Sequence, residues 1–145
     1  VRIFIAANGE SEKAKALLST AYPKIFSGPD FEPRPHFYPD KEVESCDEAR
    51  KLVLSGVGDG NPYSSRKLSY DALVISEDRD VGGYELAGIV GFSQTMKPRK
   101  LGVLSPKDRV SAYRAGAHPI RDLPSAEAFL RGLRDLMCPP SGPFK

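Results

Sequence analysis

The sequence predicts an α/β domain, a mostly parallel β-sheet covered by helices on both faces. Short runs rich in β-branched and aromatic residues alternate along the chain with segments whose apolar residues recur at helical spacing. The run Tyr70 to Ile75 (YDALVI) is a continuous apolar stretch of the kind found in strands buried on both faces. With 145 residues and 40% hydrophobic content, the chain has the size of one domain and can bury a real core.

Taken in order, Val1 to Ala7 (VRIFIAA) reads as a first strand. Ser11 to Tyr22 reads as a helix, because Ala14, Leu17, Leu18 and Ala21 fall on one face. Prolines at 23, 29, 33, 35 and 39 exclude a long helix between Pro23 and Asp40 and predict an extended connection, with a short second strand at His36 to Tyr38. Ser45-Cys-Asp-Glu48 is a capping box, and behind it Cys46, Ala49, Leu52 and Val53 form the apolar stripe of a second helix. Gly56 to Asn61 with Pro62 is a glycine-rich loop that leads to the strand at Tyr70. After Gly82-Gly83, Leu86, Ile89 and Val90 give one helical face to Tyr84–Phe92, and Lys100 to Leu104 (KLGVL) returns to strand character.

Ser105-Pro106 combines a hydroxyl cap with a first-turn proline, which opens a further helix carrying Val110 and Tyr113 and ending near Gly116. The last helix is expected to start at Ser125, with Phe129, Leu130, Leu133, Leu136 and Met137 on its apolar side. This alternation fits a doubly wound sheet of about five strands, for which the flavodoxin-like order 2-1-3-4-5 is a common solution. The expected organisation is one domain over 1–137 with irregular insertions at about 23–42 and 55–69, followed by a linker or tail at 138–145. The chain reads as a domain excised from a longer protein.

Charge excludes some functions. A formal net charge of +2 with 28% charged residues lacks the footprint of a nucleic-acid binder. No apolar run is long enough to span a bilayer and the N-terminus lacks the pattern of a secretory signal, so a soluble, cytoplasmic domain without membrane insertion is expected. Cys46 and Cys138 have no metal-ligand spacing and read as buried thiols. His36 and His118 stand beside prolines without an evident partner and read as loop or surface residues. Asn8-Gly-Glu-Ser11 has the position of a phosphate loop for a flavin, but a lone Asn-Gly is more often a turn. No cofactor and no metal are expected.

Several landmarks cluster in the second half. Tyr70-Asp-Ala-Leu-Val-Ile75 is followed by Ser76, Gly83-Tyr-Glu-Leu86 opens a helix, and Leu101 to Leu104 ends at Ser105. Ala112-Tyr-Arg-Ala-Gly-Ala117 and Leu123-Pro124-Ser125 follow. In these motifs the chain resembles the receiver domains of bacterial response regulators in two-component systems, which are CheY-like flavodoxin folds. The resemblance covers the last half of the chain well, the first strand and second helix passably, and the two insertions not at all.

What the resemblance implies turns on its departures. The phosphoacceptor aspartate position holds Ser76, the acidic metal-binding pair falls on Ala7 and Asn8, the lysine position holds Leu123, and the switch aromatic is replaced by Ile120. The phosphoryl-gripping hydroxyl is retained at Ser105. Phosphoryl transfer to a receiver needs a carboxylate nucleophile, carboxylates for Mg²⁺ and a cation over the equatorial oxygens. Glu77 follows Ser76, but neighbouring strand residues point to opposite faces, so it cannot replace the acceptor without a register change.

The implied function is therefore that of a pseudo-receiver, a non-enzymatic module of signal transduction that acts by protein–protein interaction. The implied partners are other domains of the same signalling chain, a kinase or an output protein, or a second copy in a homodimer. The implied docking face comprises the helix at Lys107–Ala115, the fifth strand and the last helix, with Arg109, Tyr113, Arg114 and Arg131 as contact residues. Basic runs such as Lys97, Arg99 and Lys100 more often solvate a surface.

Two alternatives stay open. One is an atypical phospho-switch using Ser76 with Ser105. The other is an N-glycosidic hydrolase, similar to nucleoside deoxyribosyltransferases or TIR-like enzymes, in which Glu85 attacks or stabilises a ribosyl carbon while Asp80 or Asp78 orients the sugar.

Overall fold

In the computed structural model, the structure describes residues 1–7, 9–38, 43, 45, 47–49, 51, 71–76, 100–104 and 117–137. Five strands are formed, β1 (Arg2–Ala6), β2 (His36–Tyr38), β3 (Ala72–Ser76), β4 (Lys100–Leu104) and β5 (His118–Ile120). Two long helices accompany them, α1 (Ser11–Ile25) and α2 (Leu123–Met137). The strands make one sheet in the order β2-β1-β3-β4-β5, and every pairing is parallel. This is the flavodoxin-like doubly wound α/β arrangement that the alternating pattern predicts.

The strands divide their side chains between two faces. Ile3, Ile5 and Ala7 join Ala72, Val74, Leu104 and Ile120 in one core, closed by Leu18, Ala21 and Tyr22 of α1 and by Phe129, Leu130 and Leu133 of α2. The alternate residues Phe4, Ala6, Leu73, Ile75 and Val103 point the other way and are also fully buried. Burial on both faces explains why β3 is apolar at consecutive positions rather than at every second one. Each large apolar side chain removed from water in this way contributes about 1.5–3 kcal/mol.

Gly102 of β4 lies against Phe129 of α2 and Ile120 of β5. A Cβ placed there would stand 2.8 Å from Ile120 Cδ1 and 3.0 Å from Phe129 Cε2. The residue is glycine because Phe129 fills the space a side chain would need.

The serine half of the expected capping box is in place. Ser45 Oγ accepts the Glu48 N–H at 3.1 Å, and Asp47–Ala49 with Lys51 are helical. The remaining stripe positions Cys46, Leu52 and Val53 lie outside the described residues, as do the helices expected at 84–92 and 106–116, the glycine-rich loop, Cys138 and the tail.

Two boundaries differ from the sequence expectation. The first helix continues through Pro23 to Ile25 instead of ending at Tyr22, so the irregular segment starts later than position 23. Proline gives up one hydrogen bond, but stopping the helix at Tyr22 would withdraw Ile25 and Phe26, both buried, from the core. The Phe26 N–H still donates to Tyr22 O at 2.9 Å. Arg134 of α2 donates to Ile25 O at 2.6 Å, satisfying a carbonyl at the helix end.

The last helix begins at Leu123, not Ser125. Asp122 Oδ1 accepts the Ser125 N–H at 3.0 Å, while Ser125 Oγ accepts the Asp122 N–H at 3.0 Å and the Arg121 N–H at 2.8 Å. Ser125 is thus the inner member of a reciprocal cap whose outer member is Asp122.

The histidines also have partners. His36 opens β2 and pairs with Glu32, and His118 opens β5 with Nε2 3.2 Å from Ser125 O. Among the described residues, no helix is long and apolar enough to cross a membrane.

Candidate functional site

In an open parallel sheet, ligands and reactive groups gather beyond the C-terminal ends of the strands, at the point where the strand order reverses. Here that point lies between β1 and β3. Ala6 of β1 is in register with Ile75 of β3, which places Ala7 beside Ser76. The structure therefore brings together the two positions that the sequence singles out on these strands.

Their chemistry is plain. Ala7 is fully buried, and its carbonyl accepts the Glu10 N–H at 2.9 Å and the Ser11 hydroxyl at 3.1 Å. These bonds close the turn from β1 into α1, and Gly9 supplies the left-handed residue the turn needs, with φ of 73°. Ser76 is 2% exposed and its Oγ has no hydrogen-bond partner. Withdrawn from solvent and with no base bonded to it among the described residues, that hydroxyl is not reachable as a nucleophile. Among the described residues, no three metal-ligating side chains converge.

The two positions near the fifth strand face inward. Ile120 is fully buried beneath α2, and Leu123 packs against the same core. Where a receiver keeps a switch aromatic and a lysine, this chain has two apolar packing residues. Asn8, Ser105, Glu85, Asp78 and Asp80 lie outside the described residues, as do Arg109, Tyr113 and Arg114.

Arg131 is exposed on α2, and its guanidinium lies 3.8 Å from Glu127, which also binds Lys24 of α1 at 3.1 Å. It stands at the seam between the two helices. The surface where β5 meets α2 is instead a cleft of about 390 Å³ lined by His118, Pro119, Arg121, Asp122, Pro124 and Ser125.

Sequence reasoning missed a second region at the opposite, N-terminal end of the strands. There Glu32 is hydrogen-bonded to His36, which holds its carboxyl below the usual range first by that bond and then by charge. Tyr22 is fully buried with an unpartnered hydroxyl, and burial raises its pKa, followed by the charges of Glu32 and Asp71. The four-residue spacing of Glu32 and His36 was a visible signal. The position of Tyr22 one residue beyond the apolar stripe was not.

No protein-family model, no curated protein and no solved structure matches this chain.

Proposed function

We propose that the chain is a phosphorylation-independent pseudo-receiver, a cytoplasmic signal-transduction domain that acts by binding another protein or a second copy of itself. The observation that carries this reading is the pair Ala7 and Ser76. At the strand ends where a receiver needs carboxylates, both side chains are buried and neither ionises. Leu123 and Ile120 add to it, since both serve packing. A phospho-switch at Ser76 is disfavoured by the same burial, because a phosphoryl donor cannot approach a hydroxyl withdrawn from solvent.

The docking surface in this reading includes the cleft between β5 and α2, together with Arg109, Tyr113 and Arg114 of the segment that precedes β5 in the sequence. Arg131 contributes from the far side of α2. Titration with Mg²⁺ and beryllofluoride, followed through the amide resonances of Ala7 and Ser76, tests the reading. No shift at millimolar concentration is expected. Saturable shifts at Ser76 would restore a phosphoryl switch.

A second reading, an N-glycosidic hydrolase, rests on the carboxylates that follow β3 in the sequence. In that reading Glu85, in the connection that follows β3, is the catalytic carboxylate of an N-glycosidic hydrolase, with Asp78 or Asp80 on the sugar. Chromatographic release of base from nucleosides, or of nicotinamide from NAD, would reveal it, and its loss in Glu85→Gln would assign the residue.

A further inference from the structure

We propose that the end of α1 beyond Pro23 is a hinged flap latched by Arg134 of α2, so that α2 controls whether Ile25 and Phe26 stay in the core. The flap stands apart from the strand ends at Ala7 and Ser76 and does not depend on the pseudo-receiver reading.

The hinge is Pro23, which lies inside α1 two residues before its end at Ile25. Having no N–H, it cannot bond to the carbonyl of Ser19 one turn back, so the helix is weakened where the flap begins. Across that gap the Phe26 N–H donates to Tyr22 O at 2.9 Å. On the far side the chain leaves helical geometry at Gly28, whose φ of 117° suits glycine. The flap is thus bounded by two residues at which the backbone departs from the helix.

Packing and one side chain keep it shut. Ile25 and Phe26 are buried, Tyr22 stacks on Phe26 with ring centroids 4.9 Å apart, and Phe26 meets Phe31 edge-on at 5.0 Å. Arg134, in the last turn of α2, donates through Nη1 to Ile25 O at 2.6 Å. The same guanidinium lies 5.7 Å from the centroid of the Phe31 ring. A single half-buried cation therefore grips the chain on both sides of Gly28. Lys24 also pairs with Glu127 of α2 at 3.1 Å, but its side chain is exposed and the pair adds little.

The closed form carries a cost that opening relieves. Tyr22 is fully buried and its hydroxyl has no hydrogen-bond partner, an unfavourable state. Lifting Phe26 away uncovers the Tyr22 ring and admits water to that hydroxyl, which offsets part of the apolar burial lost. Opening the flap then needs less free energy than unfolding the chain, the condition for a local transition. Whatever withdraws Arg134 from Ile25 O shifts the balance toward the open form.

Native-state hydrogen exchange of the whole chain tests the flap through two amides of α1, Phe26 beyond the hinge and Leu18 before it. Phe26 is expected to exchange faster than Leu18. Arg134→Met, which keeps an apolar stem and removes the guanidinium, should speed Phe26 about tenfold relative to Leu18, as loss of a charge-assisted hydrogen bond does. Tyr22→Phe should slow Phe26 relative to Leu18, because the closed form no longer holds an unpaired hydroxyl. If Arg134→Met does not fold, Tyr22→Phe still decides. Equal exchange of Phe26 and Leu18 in the wild type would mean that the end of α1 opens only with the whole molecule. That result, or faster exchange of Phe26 in Tyr22→Phe, would overturn the proposal.

Discussion

Arg2 and Asp71 hold each other twice. The Asp71 N–H donates to Arg2 O at 2.8 Å, and the Arg2 N–H donates to Asp71 Oδ2 at 3.0 Å. The pair closes the β1–β3 ladder just below its first register pair, Ile3 with Ala72. The aspartate of the Tyr70-Asp71 motif thus has a structural task. Asp71→Ala is expected to lower stability by about 1 kcal/mol, and Asp71→Asn by less because its carbonyl still accepts the bond. Urea unfolding midpoints check both.

Ser76 contributes no hydrogen bond, so Ser76→Ala should be neutral or slightly stabilising. Ser76→Asp should instead cost about 3 kcal/mol or more, because it buries a charge beside Ala7 with no cation to pair it among the described residues. Equal stability of wild type and Ser76→Asp in chemical denaturation would show that the strand end is open to water.

Gly102→Ala is expected to destabilise by about 1–3 kcal/mol through overpacking against Ile120 and Phe129. Ile120→Val, which removes the nearer methyl, should recover part of that loss in the double variant. Additive costs in thermal unfolding would mean that Phe129, not Ile120, is the obstacle.

Ser125→Ala and Asp122→Ala each break the same reciprocal cap, and each is expected to cost about 1 kcal/mol. Because the two residues act as one unit, the double variant should lose less than the sum. Denaturation of the three variants gives the coupling directly.

Two groups set pH limits at the N-terminal end of the sheet. The folded pKa of Glu32 is depressed, so its contribution is present above the unfolded value near 4.5 and is lost as pH falls through the folded value. Removing the imidazole in His36→Gln should therefore reduce the loss of stability in that acid range. The folded pKa of Tyr22 is raised, so above the usual value of 10.0 the unfolded chain ionises first and stability falls as pH rises. Between pH 9 and 11, the urea midpoint of wild type should drop more than that of Tyr22→Phe.

The strands β1 and β3 were legible because each is a compact apolar run. Ile3 to Ala7 and Ala72 to Ile75 are buried on both sides, so no polar residue interrupts the signal. Helix ends were harder to read. Proline at 23 suggested a stop, but the buried Ile25 and Phe26 carry the helix past it, which depends on α2 being present to cover them. At the other end, the start was placed at Ser125 rather than Leu123, because the capping Asp122 lies before a leucine and a proline that mask the motif. The positions of Ala7 and Ser76 were legible from strand pattern and motif together. The cluster around Tyr22 was not, since it joins residues from α1, the segment before β2 and the start of β3, and only the folded chain brings these together.

The sheet ends on two strands of three residues each, β2 and β5. Pro119 occupies the middle of β5 and offers no backbone N–H, and Pro35 immediately precedes β2. Among the described residues, each margin offers a neighbouring chain an edge of only three residues to pair with. Margins of this kind disfavour the edge-to-edge strand pairing that leads to fibres.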